Sequence, residues 1–254
     1  MKQMPKPWPF VTLAPPRTGG LHYDHLGHCT FAVSDGSALL LIDPFFAGKF
    51  HWAGTTERHL DPPQLPLSAI GRCEAILVSH EHGDHYDAAT VRALLRQTRA
   101  IVYAPHVVVA DAVRRGLDRR RFREVHPLRS FPVGRMNVTP FPSAGSDGVK
   151  PVDRVGFLIE ARGCRLYHQG DSHGYSPSWL NFRDRLDALI MWPHRVSEVV
   201  LAIRPATVVF HHLDRFRPGN FFCNRDGKLE LDYWGHYHPR IRFVVPRRNV
   251  WQKV

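Results

Sequence analysis

Three imidazoles and two carboxylates fall within the segment His80-Glu81-His82-Gly83-Asp84-His85. Imidazole and carboxylate donors at so compact a spacing suit a divalent ion, with zinc, iron and manganese all served by this donor set. The plain alternative is a His-rich surface loop. Two later groups share the same grammar: His168-Gln169-Gly170-Asp171, and the pair His211-His212. The chain has 17 His in 254 residues, which itself invites a search for metal ligands.

Each group follows an apolar run of strand length. Ala75 to Val78 precedes Ser79 and His80, Cys164 to Tyr167 precedes His168, and Thr207 to Phe210 precedes His211. Ligands at the ends of neighbouring strands on one edge can converge on a single site. The surrounding text supplies the elements such a site needs. Thr30 to Ser34 and Ser37 to Ile42 flank Asp35-Gly36, a hairpin signal, and Asp43-Pro44 ends the second strand. Asp87 is placed to cap a helix carrying Val91, Leu94 and Leu95 on one face. Ile101 to Tyr103 is a strand, and a second helix opens at Pro105 and closes at Gly116. Strands are predicted at Met136 to Phe141 and Leu186 to Met191, a hairpin around Arg162-Gly163, and a helix over Val196 to Ile203. Residues 46–68, punctuated by Gly and Pro, read as a long loop with exposed aromatics. No repeat, low-complexity tract or linker divides the text. The expectation is one mixed α/β domain over 21–254, after an extended, Pro-rich arm over 1–20.

Composition excludes several classes. Hydrophobic residues at 43% and charged residues at 22% describe a globular chain, not a disordered one. No apolar run approaches the ~18–20 residues of a membrane span. Four Cys without a CxxC pair support neither a disulfide framework nor a cysteine zinc finger, so a reducing cytoplasm is expected. The net charge is +11, with seven Arg between Arg114 and Arg129. That charge would serve an anionic substrate, a nucleic acid or an acidic membrane surface, or simply a solvated face. No helix-turn-helix, zinc-finger or RRM signature supports nucleic acid.

The order HxHxDH after one strand, GD after a later one, and a late His after another resembles the metallo-β-lactamase-fold hydrolases. Leu26-Gly27-His28-Cys29-Thr30, Leu41-Ile42-Asp43-Pro44, Asp87 after His85-Tyr86, and Val208-Val209-Phe210-His211-His212-Leu213-Asp214 narrow the likeness. They resemble the branch holding ascorbate-6-phosphate lactonase-like and N-acylphosphatidylethanolamine phospholipase D-like proteins. The resemblance spans roughly residues 21–216. It implies a four-layer αββα sandwich with one or two divalent ions, zinc first, at the edge between two sheets. By the same resemblance, His80 and His82 bind one ion, Asp84, His85 and His212 bind a second, and Asp171 bridges them. A metal-held hydroxide, oriented by Asp84, would attack a carbonyl or phosphoryl centre of a small anionic ester, lactone or phosphodiester.

One departure stands out. The family places a third His for the first ion after the strand ending near Phe141, and this chain reads Phe141-Pro142-Ser143-Ala144-Gly145-Ser146-Asp147-Gly148. His173, Asp147, His194 and His211 are the candidate substitutes, each equally readable as a supporting or surface residue. His28 is a candidate substrate or ligand-supporting contact, and Asp43 a candidate to orient a ligand His. Phe45, Phe46, Phe50 and Trp52 would form an apolar wall for substrate or ordinary packing. The missing His also leaves open a diverged member that binds an anionic ligand or nucleic acid without hydrolysis.

Overall fold

Leu39, Leu40, Leu41 and Ile42 are all buried, so this strand is covered on both faces. Leu39 and Leu41 pack into one cluster, while Leu40 and Ile42 pack into another. A two-residue period therefore feeds two cores from one strand. The structure is a computed structural model that describes residues 12–16, 19–52, 54–61, 65–143, 153–172, 176–218 and 226–254.

One seven-stranded sheet has the order β17 (Gln252–Lys253), β1 (His22–Gly27), β2 (Thr30–Ser34), β3 (Leu39–Ile42), β6 (Ala75–Leu77), β7 (Ile101–Ala104), β8 (Phe122–Glu124). The second has the order β16 (Arg242–Val244), β14 (Thr207–Phe210), β13 (Ala188–Met191), β12 (Cys164–His168), β11 (Val155–Ala161), β10 (Met136–Pro142), β9 (Phe131–Val133). Val33, Leu40, Ile42 and Leu77 of the first meet Val138, Phe157, Ile159, Leu166, Ile190 and Val209 of the second in a shared core. Full burial of each such side chain contributes about 1.5–3 kcal/mol. Helices α1 (Ala88–Gln97) and α2 (His106–Arg114) cover the outer face of the first sheet through Val91, Leu94, Val108 and Ala112. Helix α3 (Val196–Ile203) covers the second through Val196, Val199, Val200 and Ile203, joined by Leu231 and Trp234 of α4 (Gly227–Tyr237). The result is the four-layer αββα sandwich of the metallo-β-lactamase fold.

The central strand pairs fix where the site must lie. β3 and β6 run parallel, as do β12, β13 and β14. The segments leaving β3 and β6 therefore emerge on one edge, and those leaving β12 and β14 on one edge of the facing sheet.

Residues 46–68 differ from the expected loop. They contain β4 (Lys49–Trp52) and β5 (Thr55–His59), paired antiparallel, and β15 (Phe216–Arg217) adds to β5. Gly54, at φ 81°, makes the tight turn. Burial of Phe45, Phe50 and Phe216 in a small core of their own holds the hairpin down. Of the arm expected over 1–20, only 12–16 and 19–20 are described. Leu13 there packs into the first helical core and donates its N–H to the Ala69 carbonyl.

Candidate metal centre

Asp84, His85, Asp171 and His212 bring one donor atom each to within 4.8 Å of the others, and all four are buried. His80, His82 and Asp171 form a second group under the same limit. Asp171 is common to both. Its Oδ1 lies 3.2 Å from His85 Nε2 and 3.4 Å from His212 Nε2, and its Oδ2 lies 3.9 Å from His80 Nε2.

The first group has the dimensions of a metal site. His85 Nε2 and His212 Nε2 are 3.2 Å apart, His212 Nε2 is 3.4 Å from Asp84 Oδ2, and His85 Nε2 is 3.6 Å from the same oxygen. Four ligands at about 2.0–2.1 Å from a tetrahedral ion are spaced by about 3.3–3.4 Å.

The imidazoles reach this geometry because their other nitrogens are held. His85 Nδ1 donates to Asp43 Oδ2 at 2.8 Å, which turns the Nε2 lone pair toward the cluster. Ser79 Oγ donates to the same Asp43 oxygen at 2.7 Å and accepts from His80 Nδ1 at 2.9 Å. His80 Nε2 is thereby left as an acceptor, buried and without a hydrogen-bond partner. The Ser79 N–H closes the arrangement on Asp43 Oδ1 at 2.7 Å. One carboxylate at the end of β3 thus orients two imidazoles after β6. Asp84 is steadied in turn by His28, whose Nε2 donates to Asp84 Oδ2 at 3.0 Å, while Asp84 Oδ1 has no hydrogen-bond partner.

Strained backbone is concentrated here. His28, Asp43 and His212 adopt φ of 50°, 46° and 58°. Left-handed conformations of non-glycine residues cost energy and persist only where surrounding contacts over-determine them. Gly170, at φ 60°, makes the turn into Asp171, and a Cβ there would come within 3.1 Å of Ser79 Cβ.

Electrostatics follow the same design. Burial, the largest single influence, would raise Asp84 and Asp171, but His85 together with His212 and, respectively, His28 and His80 outweighs it and holds both carboxyls well below the usual range. Burial would likewise lower His85, yet Asp171 and the other groups around it push its imidazole well above its ordinary pKa. The site's field draws positive charge into the gap between these donors, and that charge can be a proton or a divalent ion.

The remaining sequence candidates separate. Asp43 and His28 touch ligand-set residues directly. His211 is buried and stacked on His168, with its Nδ1 against His212 Nδ1, and belongs to neither donor group. His194 stacks on Trp192, whose ring lies 6.1 Å from that of His212, so it flanks the cluster without entering it. His173 and Asp147 lie outside the described residues. Phe45 and Phe50 are core packing, Phe46 packs against the first helical core, and Trp52 meets the His82 ring edge-on at 5.0 Å.

Sequence reasoning missed two supports. Asp214 accepts from His28 N at 2.8 Å and from His59 Nε2 at 2.6 Å, and is paired with Arg248. The C-terminal segment is thereby tied to the residues behind Asp84. The other is Arg154, just before β11. Its side chain is fully buried, with Nη1 donating to the Asp171 carbonyl at 3.0 Å and Nη2 at 3.4 Å from His82 Nε2. No pattern in the sequence around Arg154 marks it as buried.

The Arg-rich stretch is largely engaged in local contacts. Arg114 and Arg115 pair with Asp111, Arg120 pairs with Asp118, and Arg121 donates to the carbonyls of Leu95, Thr98 and Ala100. A groove of about 1000 Å³ beside the metal-motif loop includes Lys49, Glu81, Asp111 and Arg114 in its lining, mixed in charge and lacking all the donor-set residues. No helix among the described residues is long and apolar enough to cross a membrane.

Comparison with known proteins matches residues 39–213 to the family described as the beta-lactamase superfamily domain. A UPF0173 protein of Pyrococcus furiosus is 28% identical over 194 residues, 73% of this chain and 80% of the relative. A UPF0173 metal-dependent hydrolase of Thermus thermophilus is 26% identical over 219 residues, 79% of this chain and 89% of the relative. Among solved structures, a metallo hydrolase from Ignicoccus hospitalis aligns with TM-score 0.68 at 18% identity, covering 92% of this chain and 99% of that one. That likeness concerns the fold.

Proposed function

The chain belongs to the beta-lactamase superfamily domain family, and from that premise we propose that it is a metal-dependent hydrolase of a small anionic ester, lactone or phosphodiester. The observation that carries the reading is the buried set Asp84, His85, Asp171 and His212, whose acceptor atoms face one another at spacings an ion would fill. A divalent ion held by these residues supplies Lewis acidity and makes water a nucleophile near neutral pH. Zinc fits the tetrahedral spacing and can expand to five ligands, while manganese or iron would keep open positions for water and substrate.

The chain's own residues do the rest. Asp43 keeps the proton on His85 Nδ1, so that His85 binds through Nε2. His28 occupies Asp84 Oδ2 as a donor and leaves Oδ1 to accept a proton from the attacking water. His82 is half-buried and faces Trp52, which puts an aromatic edge where substrate would approach.

A second reading has its own observation. Four protein donors can close a tetrahedral ion completely, the signature of a structural site, and would suit a protein that binds an anionic ligand without hydrolysing it. Apo-protein reloaded with zinc, manganese or iron and assayed on phosphodiesters, phosphomonoesters and lactones distinguishes the two. The expected result is turnover of one class that disappears with chelation and returns with metal. Full metal loading with no turnover on any class would favour the binding protein.

A further inference from the structure

We propose that the Arg154 guanidinium takes the place of a second metal ion beside His82, so that the centre is mononuclear. The inference rests on the metal-centre reading above and concerns the His80, His82, Asp171 side of it.

Arg154 is fully buried, and its guanidinium is a planar, delocalised cation. A permanent charge without water must find fixed acceptors. It donates to the Asp171 carbonyl at 3.0 Å, and Nη2 approaches His82 Nε2 at 3.4 Å. A guanidinium has no acceptor atom, so the approach to His82 is favourable only when Nε2 presents its lone pair. A neutral imidazole has one such lone pair, and a metal ion bound through Nε2 would need the same one. Arg154 and an ion on His82 are therefore alternatives.

Charge leads to the same conclusion. A second divalent ion held through His80, His82 and Asp171 would lie beside this buried guanidinium, a repulsion the low-dielectric interior does little to screen. The chain has no His from Phe141 to Gly148, where the family resemblance calls for the first ion's third ligand. The backbone there is bonded to Arg154 itself, the Ser143 N–H donating to the Arg154 carbonyl at 2.9 Å.

The test is metal stoichiometry, measured by elemental analysis and by zinc titration against a chromophoric chelator. Wild-type protein should hold one tight zinc per chain. His82→Ala should still hold one, and His212→Ala should hold none tightly. Arg154→Ala should take up a second ion on the vacated His80, His82 and Asp171, while Arg154→Lys stays at one. Two tight ions in the wild type, loss of one in His82→Ala, or a folded Arg154→Ala that stays at one, would overturn the proposal and leave the hydrolase reading standing. Absence of any tight ion in the wild type would overturn both. The wild-type and His82→Ala results decide the matter even if Arg154→Ala does not fold.

Discussion

Asp84→Asn should lower kcat by roughly a hundred- to ten-thousand-fold, the range associated with losing a positioned proton acceptor. The substitution keeps shape and lets the side-chain oxygen go on accepting from His28 Nε2. It removes a negative charge from the donor set and places an amide N–H₂ where Oδ1 now stands without a partner. The loss should therefore appear in kcat and in metal affinity, with little change in KM measured at saturating metal. The thermal midpoint should hold, since Asp84 sits in a loop after β6 and supports no strand pairing. Glu81 is two residues from His82's neighbour Gly83 and belongs to neither donor group. Glu81→Gln is accordingly the control and should cost less than tenfold. Near-normal turnover in Asp84→Asn would remove the basis for this mechanism.

Asp43→Ala should weaken metal binding by about ten- to a hundredfold without touching a ligand, as loss of a carboxylate behind a ligating imidazole typically does. Asp43 accepts from His85 Nδ1, Ser79 Oγ and Ser79 N, and through Ser79 Oγ it also sets His80. Alanine would leave those donors buried and unpaired and free His85 to choose its other tautomer. The same change should cost roughly 3–5 kcal/mol of stability, in the range for breaking a fully buried charged network. Competition with a chelator measures the first effect and chemical denaturation the second. Asp43→Asn should recover part of the stability, since its carbonyl still accepts one of the three bonds. Unchanged affinity in Asp43→Ala would mean that the orientation of His85 is set elsewhere.

How much of this was legible in the chain depends on how local each feature is. The hairpin around Asp35-Gly36 is written in adjacent residues, with Gly36 at φ 84° and Asp35 Oδ1 accepting from Ser37 N, and it forms as read. Helix α1 starts where Asp87 caps it, its side chain accepting from Ala89 N. The strand-then-ligand grammar at His80, Asp171 and His212 was visible because each run and its donors are contiguous. The hairpin β4–β5 was not, because its alternation is only a few residues long and its core partner Phe216 lies far along the chain. Helix α4 was also missed. Its Asp226 cap lies just beyond a segment without periodic signal. Arg154 is the sharpest case. Nothing in Asp153-Arg154-Val155 marks a buried cation, and only the packing of β10, β11 and the turn at Asp171 makes it one.

The central claim is that Asp84, His85, Asp171 and His212 together hold a divalent ion. Anomalous diffraction from crystals of metal-loaded protein, collected on both sides of the zinc absorption edge, tests it most directly. One strong anomalous peak is expected within bonding distance of Asp84, His85 Nε2, Asp171 Oδ1 and His212 Nε2. Fully loaded crystals with no peak there, or with the peak on residues outside this set, would contradict it.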